Sequence, residues 1–410
     1  MIRFAKRNGR HKRNGKPLFI ENVVKRRYAA GARRRETGLC CPVSYDSKYL
    51  KVLPKEILQK DYGCGDPTPY LREGDMVLDL GSGAGKICYI ASQIVGPKGK
   101  VIGIDFNPPM LALARKYQNE IAERIGWSNV EFRWGRVQDL KTDLEILEKH
   151  LAGTPIHSLE DYFDFQESAA GVQREAPLIE DDSVDVIVSN CVLNLVRLQD
   201  KAQLFQEMYR VLKIGGRVAI SDIVSDEKVP ANLQRNPKLW SGCISGAFQE
   251  MDFLRAFEES GFYGIKIEKW DTKPWRTVRG IEFRSVMVTA CKGKEGPCWE
   301  RNQAVIYKGP WKQVEDDDRH ILRRGIRTAV CDKTFQIFSK APYAKDLIFI
   351  PPRKNIALAH AKPFSATTKA DPSSGGDCSR SAERSPRETK GTRDKKTAES
   401  PSVCLGGSCC

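Results

Sequence analysis

The chain has 410 residues, 40% of them hydrophobic and 29% charged, with a formal net charge of +15. The positive excess sits at the two ends: residues 1–36 carry 13 Lys/Arg against 2 acids, residues 354–410 carry 10 against 6, and the body between is neutral. A neutral body argues against a basic groove for a nucleic-acid substrate, and no run of about 18 apolar residues exists to span a membrane.

Residues 1–36 are Arg-rich and acid-poor and read as a disordered basic segment. Cys40 and Cys41 follow, just before Pro42. Residues 45–61 fit a turn and a helix with Leu50, Leu53, Ile57 and Leu58 on one face. Tyr62-Gly63-Cys64-Gly65 is a tight loop ahead of the first strand. Residues 76–80 are apolar apart from Asp79, and a glycine loop follows at Gly81, Ser82, Gly83 and Gly85. A helix over 87–95 and a strand over 101–104 lead to a second acid, Asp105. This is strand, tight loop, helix, strand, with a carboxylate at the tip.

The pattern continues with a helix from Pro108 to about Ile125, a third strand over 130–134, and a loop presenting Val137 and Gln138. Residues 141–180 are an acidic insertion with one or two short helices. A fourth strand, 184–189, delivers Asn190 and Cys191. An amphipathic helix over 200–212 precedes a fifth strand at 217–223, and residues 226–247 read as a mobile lid holding Cys243. A helix over 251–260 and two last strands complete the pattern. The expected fold is α/β: a Rossmann-like, seven-stranded sheet with helices on both faces, in a domain spanning 37–292. A small C-terminal unit spans 293–352. The Ser/Thr/Lys/Arg-rich remainder, 353–410, cannot build a core and reads as a disordered tail. Open sheets of this kind bind ligands at the C-terminal strand ends, where Asp79, Asp105 and Cys191 all fall.

The glycine loop restricts the ligand. Glycines let backbone approach a ligand at a helix N-terminus, and an acid ending the next strand can hold two ribose hydroxyls. A dinucleotide fingerprint is G-x-G-x-x-G. Here Gly81-x-Gly83-x-Gly85 follows Asp79, which suits a nucleoside without phosphates and with a cationic tail. The unit resembles the S-adenosylmethionine (SAM) site of seven-stranded class I methyltransferases. On that resemblance Asp79, Gly81, Ser82, Gly83 and Gly85 place the methionine part and Asp105 takes the ribose. Asn107, Met110 and Val137 lie near the adenosine, and Asn190 faces the methionine end.

Thirteen cysteines are many for this length, and an odd count leaves at least one unpaired. None has the C-x-x-C spacing of a zinc site, and unpaired thiols fit the reducing cytoplasm. Cys64, Cys191 and Cys243 fall in three loops that should face the SAM methyl. Their neighbours are polar or glycine (YGCGD, SNCVLN, WSGCISG) rather than core-like. Three soft thiolates around an open site select a thiophilic centre. A trivalent metalloid such as As(III) takes three sulfurs in a pyramid and keeps a lone pair that can attack a sulfonium methyl. No general base is then needed, and no histidine lies in the three loops.

YGCG, DLGSGAGK, GIDFNPPMLALAR, SNCVLNL, RVLKIGGRVAISDIV and LWSGCISGAF together resemble the arsenite methyltransferase family over residues 40–310. The resemblance implies that Cys191 and Cys243 bind As(III) at rest. It implies that Cys64 acts in a disulfide relay, that Cys40 or Cys41 is an accessory cysteine, and that glutathione or thioredoxin resets the disulfide. Apart from the resemblance, the chain is expected to be a cytoplasmic monomer with no nucleic-acid or membrane partner. The 141–180 insertion is longer than the resemblance implies. Cys88 reads as core, Cys291 and Cys331 as structural, and Cys404, Cys409 and Cys410 as either idle or scavenging. Two alternatives use the same sheet: a C- or O-methyltransferase of a quinone, sterol or other small organic acceptor, and a non-catalytic metalloid-binding protein.

Overall fold

The computed structural model describes residues 20–36, 43–60 and 62–365. Five apolar runs form parallel strands: β1 (Met76–Leu80), β2 (Lys100–Asp105), β3 (Val130–Trp134), β4 (Val184–Asn190) and β5 (Leu212–Ser225). β6 (Tyr263–Trp270) and β7 (Ile281–Cys291) complete the sheet, with β7 antiparallel to both β5 and β6. The order across the sheet is β3-β2-β1-β4-β5-β7-β6, and the short strands Phe248–Gln249 and Arg276–Val278 pair with β5 and β7. Strand order reverses at β1, which pairs with β2 on one side and β4 on the other. That reversal opens a crevice at the C-terminal strand ends.

Because the central strands are covered on both faces, they are apolar at nearly every position rather than alternating. Val77, Val186, Val188 and Ala219 face the helices Lys86–Val95, Pro108–Lys116 and Gln118–Ile125. Leu78, Ile102, Ile187 and Val218 face the helices Lys201–Val211 and Glu250–Glu259. On that second face Phe205, Phe253, Phe257 and Phe262 form a chain of edge-to-face rings.

Several elements differ from the sequence expectation. The helix from Pro108 breaks at Tyr117 into two. β5 begins at Leu212 and runs through Gly215-Gly216. The stretch read as a lid is packed, with Trp240, Cys243, Ile244 and Ala247 all buried. Its prolines start two one-turn helices rather than a loose loop. The expected basic disordered segment contains a helix, α1 (Ile20–Arg33), held by contacts to distant parts of the chain. The insertion forms two helices, Leu144–Gly153 and Leu159–Glu175, that bury no residue.

Beyond β7, Arg327–Ala329, Ala304–Tyr307 and Leu347–Ile350 form a three-stranded antiparallel sheet over a small core of Val305, Leu322, Val330 and Phe338. Cys331 is buried at the N-cap of the helix Asp332–Phe338. Among the described residues no helix is long and apolar enough to cross a membrane.

Phe257 is fully buried with three ring neighbours, so Phe257→Ala leaves a cavity and costs about 3–5 kcal/mol. Phe163 on the insertion helix is 58% exposed, and Phe163→Ala stays within about 0.5 kcal/mol. Chemical denaturation of both variants checks the contrast.

Candidate active site

The glycine loop follows β1 directly. Gly81, Gly83 and Gly85 have φ of +76°, +53° and +83°, a region where side chains are strained. A Cβ on Gly81 would meet Val192 at 2.4 Å and one on Gly85 would meet Phe132 at 2.7 Å, whereas one on Gly83 meets nothing within 4 Å. The open side above Gly83 faces a cleft with a cavity volume of about 150 Å³.

Asp105 stands at the tip of β2. Its Oδ2 accepts from the Gly83 N–H at 2.8 Å and its Oδ1 from the Asn107 N–H at 2.7 Å. Burial pushes its pKa up to about 6, against the lowering effect of these backbone donors. Asp79 is buried and accepts from the Cys88 thiol at 3.2 Å. Burial, then the Asp79 charge, raises the Cys88 pKa well above its ordinary value, so the thiol stays protonated and donates. Cys88 is core, as expected, and it also orients Asp79.

Asp79, Gly81, Ser82, Gly83, Asp105, Asn107, Met110, Val137, Gln138 and Asn190 all line the cleft. Among the described residues the buried Ser82 Oγ and Asn107 Oδ1 find no hydrogen-bond partner. Buried polar atoms are normally satisfied. Two such atoms beside an open glycine cradle and a ribose-type carboxylate fit a nucleoside with a polar tail.

The cysteines converge beside this cleft. Asn190 ends β4 and clamps the YGCG turn: its Oδ1 accepts from Cys64 N at 2.7 Å and Gly65 N at 3.1 Å, and its Nδ2 donates to Gly65 O at 2.5 Å. The turn fits only without side chains, since a Cβ on Gly63 would meet Asn190 at 2.2 Å and one on Gly65 would meet Ser221 at 2.1 Å. Cys64 and Cys191 are joined by a disulfide, with Cα atoms 5.8 Å apart. The Cys243 thiol donates to the Cys191 carbonyl at 3.4 Å. All three are buried in one apolar cluster with Ile223, Val229, Ile244 and Phe283, and Cys191 lines the cleft. Cys191 and Cys243 both have φ of +61°. Such strain costs about 1–3 kcal/mol per residue and persists where the surroundings impose it. Cys40 and Cys41 lie outside the described residues, as do Cys404, Cys409 and Cys410.

Sequence reasoning placed Asn190 at the methionine end. It does line the cleft, but its amide serves the Cys64 turn. Two charged residues beneath the cysteines went unnoticed. Asp222 is buried, accepts from Leu193 N and Asn194 Nδ2 at 2.8 Å each, and has an oxygen within 4.8 Å of the Cys64 and Cys191 sulfurs. Lys201 is buried, donates to Gly246 O at 2.5 Å and lies 3.6 Å from the Phe248 ring centroid. Burial lowers the Lys201 pKa and raises that of Asp222. Asp222 gave a signal, as an acid inside the apolar run AISDIV. Helix α1 was also missed, although Ile20, Val24 and Tyr28 recur at helical spacing.

A methyltransferase-domain family matches residues 71–151 and 161–261. With the sheet order and the glycine cradle, this makes the chain a class I SAM-dependent methyltransferase, with SAM as its cofactor. An arsenite methyltransferase of Aquipseudomonas alcaligenes is 31% identical over 331 residues, covering 77% of this chain and 85% of that protein. The arsenite methyltransferase of Homo sapiens is 30% identical over 74% of each chain. The crystal structure of an arsenic(III) S-adenosylmethionine methyltransferase from Chlamydomonas reinhardtii is 26% identical. It covers 79% of this chain and 100% of its own, with a TM-score of 0.52. The chain belongs to the arsenite methyltransferase family. Residues 294–394 match a domain of unknown function.

The Asp105 carboxylate gives a pH dependence with a definite sign. A ribose held at Asp105 would need the ionised acid to accept both hydroxyls, so protons would compete with SAM once the pH falls below the raised pKa of about 6. SAM affinity should be flat above pH 7 and fall below pH 6, approaching tenfold per unit. Asp105→Asn should bind SAM about ten- to a hundredfold more weakly and lose that pH dependence. Calorimetric titration between pH 5 and 8 measures both.

Proposed function

We propose that the chain transfers methyl groups from SAM to trivalent arsenic held by its own thiols, an arsenic methylation that serves detoxification. The observation that carries this is the convergence of Cys64, Cys191 and Cys243 in one buried cluster beside the SAM cleft. Bound SAM supplies a sulfonium methyl, an electrophile suited to the lone pair of thiolate-bound As(III). Asp79 and the glycine loop hold the methionine part, Asp105 the ribose, and Asn107, Met110 and Val137 the adenosine.

Cys191 and Cys243 hold As(III) as thiolates. The apolar wall of Ile223, Ile244 and Phe283 excludes water from the acceptor. No histidine lines the cleft, which accords with an acceptor that needs no deprotonation. The arsenic lone pair would become the new As–C bond as the methyl's bond to the cofactor sulfur breaks and S-adenosylhomocysteine leaves, which takes arsenic from As(III) to As(V). The Cys64 thiolate would then attack the Cys191 sulfur, the arsenic–Cys191 bond breaks with its electron pair returning arsenic to As(III), and Cys64 and Cys191 close as the disulfide seen here. Glutathione or thioredoxin then reopens it. We place the catalytic unit at residues 37–292 and the small C-terminal unit at 293–352, in a cytoplasmic monomer with no nucleic-acid or membrane partner.

The test is methylation of As(III) with SAM, glutathione and thioredoxin, read by mass spectrometry of arsenic species. Cys191→Ser and Cys243→Ser should each lose more than the ~100-fold that an outer-shell partner costs a metal site. Cys64→Ser should still bind As(III) but fail to turn over. A wild-type chain that binds SAM and yields no methylarsenic would overturn the proposal.

A further inference from the structure

Cys191 and Cys243 stand in separate loops, and each holds φ of +61°. Such a backbone persists only where its surroundings impose it. For Cys191 the constraint comes from β5. Asp222 on that strand accepts from Leu193 N at 2.8 Å, from Asn194 N at 3.4 Å and from Asn194 Nδ2 at 2.8 Å. Asn194 Nδ2 also donates to the Ile223 carbonyl at 2.5 Å. Asp222 and Asn194 are both buried, so the loop after Cys191 is locked to the strand.

The segment that carries Cys243 is fastened to that loop on either side of the cysteine. Before it, Trp240 Nε1 donates to the Leu195 carbonyl at 3.2 Å. After it, Gly246 lies so close that a Cβ there would meet the Asn194 carbonyl oxygen at 2.1 Å. Lys201 Nζ, from the first residue of the helix Lys201–Val211, donates to the Gly246 carbonyl at 2.5 Å and lies 3.6 Å from the Phe248 ring centroid. Trp240 and Lys201 are buried, so water does not compete for either donor. None of Asn194, Lys201, Asp222, Trp240 and Gly246 is among the described residues that line the SAM cleft.

From this geometry we infer that Lys201 and Trp240 are positioning residues for the arsenic acceptor. With the side-chain-free Gly246 they hold the Cys243 segment against the Cys191 loop, and so set the spacing of the two thiols. The inference rests on the arsenic reading given above. Thiolates that share one arsenic must be held to about 0.5 Å, which requires supporting side chains that are themselves locked by packing and hydrogen bonds. Lys201 and Trp240 meet that requirement from outside the cofactor cleft, and they act through Cys243. Gly246 is required because the close approach to Asn194 leaves no room for a side chain.

The test is the initial rate of As(III) methylation by the full chain, with As(III) and SAM varied separately. Lys201→Met keeps the apolar stem and removes the donor to Gly246. Trp240→Phe keeps an aromatic ring and removes the donor to Leu195. Each should raise the KM for As(III) about tenfold, with a smaller fall in kcat. SAM affinity should stay within about twofold, as expected for a site that shares no partner with the altered ties. Gly246→Ala should raise the KM for As(III) in the same direction. Circular dichroism melts report folding. Folded variants whose KM for As(III) stays at the wild-type value, or whose SAM affinity falls in step with it, overturn the inference. Failure of both Lys201→Met and Trp240→Phe to fold would assign these ties to stability alone and overturn it as well. A wild-type chain that forms no methylarsenic instead overturns the arsenic reading itself.

Discussion

The site depends on one side chain amide. Asn190 at the tip of β4 accepts two N–H groups from the YGCG turn and returns one to the Gly65 carbonyl. That clamp, joined by Ser285 Oγ and Tyr45 Oη, which donate to the Cys64 and Gly65 carbonyls, holds a turn that its two glycines would leave entropically loose. With it, Cys64 is brought to Cys191, the residue next to Asn190 in the chain. The same glycines that loosen the unfolded turn are required by the clamp, since any side chain at Gly63 would collide with Asn190. Sequence, turn geometry and thiol placement are therefore one constraint.

Around this clamp the site is built from two chemistries that share an edge of the sheet. The glycine cradle, Asp79 and Asp105 are polar and directional, and their buried groups are held by backbone donors and the Cys88 thiol. The thiol pocket is apolar and soft, with Asp222 and Lys201 buried beneath it. Buried charges persist only where hydrogen bonds satisfy them. Asp222 meets that condition by holding the loop after Cys191. Helix α1 closes over both regions and touches each through a different turn.

Much of this was legible in the chain. Short apolar runs, two of them ending at the acids Asp79 and Asp105 and one at Cys191, gave the sheet and the edge on which ligands gather, because parallel strands buried on both faces carry an unmistakable pattern. The glycine loop was legible because three alternating glycines demand a left-handed backbone. What escaped was non-local. Helix α1 was hidden by its arginines, and it is fastened by Asn107, Tyr62 and Ser241, which lie far along the chain. The stretch around Cys243 looked loose from its prolines, yet Trp240 and Ile244 are buried. Asn190 was placed at the cleft, which it lines, but its clamp on the YGCG turn was not foreseen, since nothing local shows that its amide turns toward Gly65. Lys201 carried no signal in the sequence, because burial of a lysine is a tertiary fact.

The proposed chemistry requires Cys191 and Cys243, from two distant loops, to hold one arsenic beside Cys64. Arsenic K-edge absorption of the reduced, As(III)-loaded chain tests this most directly. The account predicts a first shell made only of sulfur, losing a sulfur neighbour in Cys191→Ser and again in Cys243→Ser. A shell of oxygen in the wild-type chain, or a sulfur shell indifferent to both substitutions, would contradict it.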